Sequence, residues 1–153
     1  MKFRMVDRII DYEPAKSIRG AKTVSFEEYQ LKSAFGNVPS LPESLIMESF
    51  FQLGNWLIML TSDFQQMGLL VRTKEIVFDG IVGTGENLFM EINVRSYRED
   101  GVLFDGQASV DGKMAARGTG CLASLTPVDN YFNSEDLKVL FSEIYRPGIM
   151  SER

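Results

Sequence analysis

Between Pro42 and Ser62 the apolar positions stop following a single stripe. Leu45, Ile46, Met47, Phe50, Phe51, Leu53, Trp56, Leu57, Ile58, Met59 and Leu60 cover most of a helical cylinder, the pattern of a helix buried nearly all round. Pro42 stands at or near the first helical position, and Glu43 follows where the helix dipole favours an anion. The polar exceptions fall in a line. Ser44, Glu48, Gln52 and Asn55 recur at spacings of four, four and three, so they stack along one narrow face. A carboxylate in the middle of such a helix is costly to bury unless something pairs with it or uses it. Glu48 is therefore the first candidate for chemistry.

The flanking segments read differently. Met5 to Tyr12 is a short element whose periodicity does not decide between helix and strand; Pro14-Ala15-Lys16 breaks it. Ser17 to Phe26 is expected to be a strand. Gln30 to Leu41 is irregular, with Gly36, Asn37, Pro39 and Ser40 marking a loop into the helix. Beyond the helix, Gln65 to Gly68 is expected to be a linker and Leu70 to Asp79 a strand. From Glu86 to Tyr97, Leu88, Met90, Ile92 and Val94 alternate with Phe89, Glu91, Asn93 and Arg95, which predicts a half-buried strand. Asp100-Gly101 and Asp111-Gly112 are hairpin signals joining it to strands over Val102–Val110 and Lys113–Leu125. A helix followed by a meander argues for an α+β fold and against a parallel βαβ sheet. Pro127 closes the sheet. Ser134 is expected to cap a last helix, whose Leu137, Leu140, Phe141 and Ile144 share one face and are expected to pack on the chain's own sheet.

Composition narrows the function. The chain has 153 residues, 44% hydrophobic and 24% charged, as in an ordinary globular domain, with no repeats and no second-domain boundary. Its net charge of −5 argues against a nucleic-acid partner. The central helix is too interrupted by polar groups to span a bilayer, and no apolar run near Met1 suggests a signal peptide. A lone Cys121 points to a reducing, cytoplasmic setting. The most informative count is zero: there is no histidine. That excludes Ser-His-Asp and Cys-His nucleophile pairs, imidazole metal sites and histidine acid–base steps within one chain. Cys121 without a base partner reads as a small buried residue. There is no phosphate-cradling loop or dinucleotide fingerprint, Gly118-Thr119-Gly120 lying in a strand-like stretch, and no metal or cofactor is expected.

Several collinear motifs carry a resemblance. Met5-Val6-Asp7-Arg8-Ile9 is similar to an L-V-D-R-V opening, and Lys22, Val24 and Glu28 to a K-x-V-x-x-x-E run. Pro39 to Gln52 (P-S-L-P-E-S-L-I-M-E-S-F-F-Q) is similar to P-V-M-P-G-V-L-I-x-E-A-M-A-Q. Thr84-Gly85-Glu86 stands where P-G-D is usual, and Val110-Asp111-Gly112 resembles a V-D-G hairpin. Together they resemble the 3-hydroxyacyl-[acyl-carrier-protein] dehydratases of the FabA/FabZ type. The resemblance implies a hot-dog fold, a curved antiparallel sheet wrapped around a long central helix, with residues 1–126 as its core and 127–153 as a C-terminal helical extension of one domain, 1–153.

In that family a histidine takes the proton beside the thioester carbonyl, and an acidic residue on the central helix works on the departing hydroxyl. A backbone N–H at the helix start polarises the carbonyl. The resemblance places the acid at Glu48 and the histidine at Ala34, fourteen positions earlier; Phe35 is kept but the base is not. The amide falls on Glu43, with Leu41, Pro42, Phe35 and Gln52 as substrate-binding positions. An acyl carrier protein or acyl-coenzyme A is the implied partner. With no histidine, ordinary dehydration by a homodimer is the least supported outcome; the first reading is a dehydratase-like acyl-thioester-binding subunit, impaired or partner-dependent, in a homodimer or in a heterodimer with a histidine-bearing homologue. Two further readings stand beside it: a hot-dog thioesterase using Glu48 and the amides near Glu43, and a non-catalytic acyl- or partner-binding module in which Glu48 pairs with an arginine such as Arg8. A docking surface for an acidic carrier would be basic, and Arg72 with Lys74, or Arg95 with Arg98, are the candidates.

Overall fold

The computed structural model describes residues 4–26, the backbone of 32–33 and residues 39–148. The ambiguous opening segment is a strand. β1 (Arg8–Glu13) pairs antiparallel with β2 (Ser17–Thr23), and a register shift between Ile9 and Asp11 lets the adjacent Ile9 and Ile10 both be buried. That bulge hides the period-two signal in the sequence. Within the stretch expected to be irregular, two short strands, β3 (Lys32–Ser33) and β4 (Pro39–Ser40), pair antiparallel. The helix α1 follows over Glu43–Thr61, with Pro42 as its N-cap and Ser62 as its C-cap.

After the helix the outcome differs from expectation. The presumed linker is the start of β5 (Gln66–Arg72), and the single strand expected over Leu70–Asp79 is two, β5 and β6 (Glu75–Phe78). Next come β7 (Asn87–Arg98), β8 (Gly101–Val110) and β9 (Lys113–Pro127). Leu88, Met90 and Ile92 are buried as their alternation predicts. Asp111 and Gly112, at φ 49° and 77°, both adopt the left-handed conformation that a tight hairpin turn needs. β5 and β6 both pair with β9, one after the other along its length. The break between them faces Gly120, whose φ is +64°. There the Lys74 N–H is shared between the Thr119 and Gly120 carbonyls, and Asp105 Oδ1 accepts the Gly120 N–H at 2.9 Å.

These strands form a seven-stranded sheet in the order β1-β2-β7-β8-β9-β5, with β6 also on β9. Every strand pair is antiparallel. The curved sheet holds α1 against β2, β5, β7 and β8. Ile46, Phe50, Leu53, Trp56, Leu57 and Ile58 fill the interface and are almost fully buried. α1 is not enclosed all round, however. Glu43 and Ser44 are exposed, and Met47, Glu48, Phe51, Gln52 and Asn55 are half-buried.

The last helix, α2 (Ser134–Ile144), is capped by Asn133 rather than Ser134: Asn133 Oδ1 accepts from the N–H groups of Glu135 at 2.9 Å and Asp136 at 3.2 Å. Leu137, Leu140 and Ile144 are buried, and the Phe141 ring packs among Tyr12, Trp56, Phe64 and Tyr145. The Arg146 N–H donates to the Ile9 carbonyl at 2.9 Å, so the segment after α2 covers the edge of β1. The β5 edge has no such cover among the described residues.

Gly120 provides a test of the edge geometry. A Cβ there would lie 2.8 Å from Lys74 Cβ, on a backbone that side chains rarely adopt. Gly120→Ala should lose about 2 kcal/mol, which thermal unfolding would read as a fall of about 4–8 °C in Tm. An unchanged Tm would contradict the packing at the β5–β6 break.

Candidate functional site

Glu48 lies in the second turn of α1, among its half-buried residues. With Phe51, Gln52, Asn55 and Ile58 it lines one wall of a cleft of about 220 Å³. Met67, Gly68, Leu69 and Leu70 of β5 line the facing wall, and Phe104 and Ala123 also border the space. The helical period places Glu48, Gln52 and Asn55 on one face, and the cleft gathers all three.

Hydrogen bonds fix these polar groups. Gln52 Nε2 donates to Glu48 Oε1 at 2.9 Å, while Gln52 Oε1 accepts the Met5 N–H at 2.8 Å. Asn55 Oδ1 accepts the Gly68 N–H at 2.8 Å, a bond that crosses from the helix to β5. Among the described residues, Glu48 is thus hydrogen-bonded to Gln52 and not to Arg8. The result is an anchored carboxylate at one end of a largely apolar slot.

The start of α1 supplies a second feature. The Leu45 and Ile46 N–H groups both donate to the Pro42 carbonyl, and no side chain caps the helix. The amides of Glu43 and Ser44 make no hydrogen bond among the described residues, so they remain available to an oxygen atom carrying negative charge. Leu41 is buried and donates its N–H to the Val82 carbonyl. Leu41, Pro42 and Glu43 do not line the cleft. Ala34, Phe35 and Glu28 lie outside the described residues. Asn55, Phe51, Ile58 and the β5 residues were missing from the sequence-based site. The four–four–three polar spacing already pointed to Asn55, but nothing in the sequence located its partner strand.

Other motif residues carry structure. Asp7 Oδ2 accepts the Thr23 N–H at 2.7 Å and lies 3.5 Å from Lys22 Nζ, tying the first motif to the second. Glu86 Oε2 accepts the Gly83 N–H at 2.6 Å, while the Glu86 carbonyl accepts the Val24 N–H at 3.0 Å. The V-D-R, K-x-V and T-G-E positions therefore brace one end of the sheet.

The family model of the FabA-like domain matches residues 1–119. The chain belongs to the FabA-like family. This FabA-like chain is 31% identical over 117 residues to the 3-hydroxyacyl-[acyl-carrier-protein] dehydratase FabZ of Oleidesulfovibrio alaskensis, covering 74% of the chain and 76% of that protein. Among solved structures it is similar to smu.793 of Streptococcus mutans bound to acetyl CoA, with a TM-score of 0.63, 11% identity and 78% and 88% of the two chains covered. It is also similar to the dehydratase heterocomplex ApeI:P of Xenorhabdus doucetiae, with a TM-score of 0.56, 14% identity and 75% and 91% covered. At these identities the structural likenesses establish the fold, which is the hot-dog fold. No described helix is long and apolar enough to cross a membrane.

Cys121 is buried on β9, and burial pushes its thiol above the ordinary value; Thr73 partly offsets this and the Asp105 carboxylate adds to it. Such a thiol is a poor nucleophile. Iodoacetamide at neutral pH should label Cys121 only after the chain is unfolded. Rapid labelling of the native protein, followed by mass spectrometry, would show instead a reactive thiol.

Proposed function

We propose that this FabA-like chain binds 3-hydroxyacyl thioesters, on an acyl carrier protein or coenzyme A, and takes part in their dehydration together with a second subunit that brings the missing base. The observation that carries this reading is the position of Glu48, hydrogen-bonded to Gln52 at the end of an apolar cleft whose far wall is the edge strand β5. The family membership and the FabZ relative supply the substrate class.

In this reading Glu48 gives a proton to the departing hydroxyl. The Glu43 and Ser44 amides, at the start of the same helix and outside the cleft lining, would receive the thioester carbonyl only if it reaches beyond the cleft, since helix-start N–H groups favour the developing negative charge. Removal of the proton beside that carbonyl needs a base, and the chain has no histidine. Ala34 stands where the resemblance places that residue. A second subunit would have to bring the base to the cleft. β5 favours such an arrangement, because Leu69, Leu70 and Val71 are exposed on an open sheet edge beside the cleft. An apolar open edge is a ready surface for another chain's strand. The ApeI:P structure, described as a dehydratase heterocomplex, gives the arrangement a precedent in the same fold.

Co-expression with a histidine-bearing FabZ-type homologue should yield a stable complex that interconverts 3-hydroxyacyl and enoyl thioesters. Glu48→Gln in this chain should lower that rate about 10²–10⁴-fold, the range for one positioned acid–base group, as read by mass spectrometry of the products. A homodimer indifferent to every homologue, or a complex unaffected by Glu48→Gln, would contradict the reading. Hydrolysis products lost with Glu48→Ala would favour the thioesterase alternative.

Arg72 and Lys74 are exposed at the β5–β6 break, on the same sheet edge as the cleft. Arg95 instead lies 3.7 Å from Asp105 in an exposed ion pair. The first pair is therefore the better candidate for meeting an acidic carrier. Arg72→Glu with Lys74→Glu should weaken carrier-protein binding at least tenfold at low salt, measured by calorimetry. Unchanged binding would remove these residues from the docking surface.

A further inference from the structure

Asn55 occupies an unusual place in the cleft. Seven residues separate it from Glu48, so the two share one helix face about 10.5 Å apart along the axis. Besides Glu48 and Gln52, the slot it shares is lined by the apolar Phe51, Ile58, Met67, Leu69 and Phe104. The amide is held in one orientation. The Gly68 N–H can only donate, so the atom it reaches at 2.8 Å must be Oδ1. That leaves Nδ2 as the free end of the side chain. Nδ2 makes no hydrogen bond among the described residues and is not sealed from solvent.

Resting on the acyl-thioester reading above, we infer that Asn55 is a specificity-determining residue, which selects acyl chains carrying an oxygen acceptor, a keto oxygen, near their distal end. A saturated chain lying along the cleft would displace water from Nδ2 and leave its donors facing methylene groups, which is the costly outcome for a buried polar group. A chain with a carbonyl at that depth replaces the water with a direct hydrogen bond. Sites built to bond a polar substrate group discriminate strongly against the analogue that lacks it. An extended chain advances roughly 1.2 Å per bond. The helical separation therefore puts the favoured oxygen about nine bonds beyond the carbon that faces Glu48.

The test compares two non-hydrolysable coenzyme A thioethers of equal length, one saturated and one with an oxo group at that position. Binding to the full chain is measured by calorimetry. Wild type should bind the oxo chain at least about tenfold more tightly than the saturated one. Asn55→Asp keeps an oxygen for the Gly68 N–H but replaces the donors with an acceptor, so the oxo-to-saturated ratio should fall at least tenfold. Asn55→Leu should collapse the ratio by improving saturated binding, with circular dichroism confirming that both variants remain folded. Equal affinities in wild type, or a ratio unchanged in folded Asn55→Asp, would overturn the assignment of Asn55 while leaving acyl-thioester binding intact. Failure of wild type to bind either chain, whether carried on coenzyme A or on an acyl carrier protein, would overturn both.

Discussion

One constraint governs the rest of this molecule: a nineteen-residue helix with apolar side chains on most of its surface must be kept from water. A flat sheet would cover only one side of it. The curved sheet covers more, through β2, β7, β8 and β5. At roughly 1.5–3 kcal/mol for each large apolar side chain buried, Phe50, Leu53, Trp56 and Leu57 supply much of the drive for that wrapping. The aromatic packing around Phe141 then secures α2 across Tyr12, Trp56 and Phe64.

Wrapping stops short on the side where the helix is polar. Glu48, Gln52 and Asn55 would be expensive to enclose without partners, and each has one. Gln52 links Glu48 to the Met5 amide, and Asn55 reaches the Gly68 amide. Two long-range hydrogen bonds thereby hold Met5 and the edge strand against the helix. A structural need, satisfying polar groups on a buried helix, thus leaves a carboxylate fixed in an apolar slot.

Much of this was legible in the sequence. The helix was marked by Pro42 and Ser62, which prove to be its caps. The Leu88–Met90–Ile92 alternation and the Asp111–Gly112 turn marked the meander, whereas the first turn falls on Glu99–Asp100, one residue before the expected Asp100–Gly101, with Gly101 already in β8 opposite Arg98. What escaped detection did so for local reasons. Gln66-Met67-Gly68 reads as a linker because Gly68 interrupts it. A Cβ at Gly68 would meet Ile58 Cδ1 at 2.7 Å and Ala123 Cβ at 3.2 Å, so the glycine permits close packing inside a strand. Asn133 caps α2 one residue before the expected Ser134, two residues that are equally good caps by type. The polar stripe on α1 was visible, whereas the wall opposite it depends on where β5 lands, and that is decided by the whole sheet.

Amide hydrogen exchange offers the most direct measurement of the central claim, that acyl thioesters lie between α1 and β5. Exchange of the full chain would be followed with and without a non-hydrolysable acyl-coenzyme A analogue. The account predicts slowed exchange concentrated in Gln66–Arg72 and in the first turn of α1, where the Glu43 and Ser44 amides are free. Saturating ligand that leaves those amides unchanged, or protects only the outer face of the sheet, would contradict it.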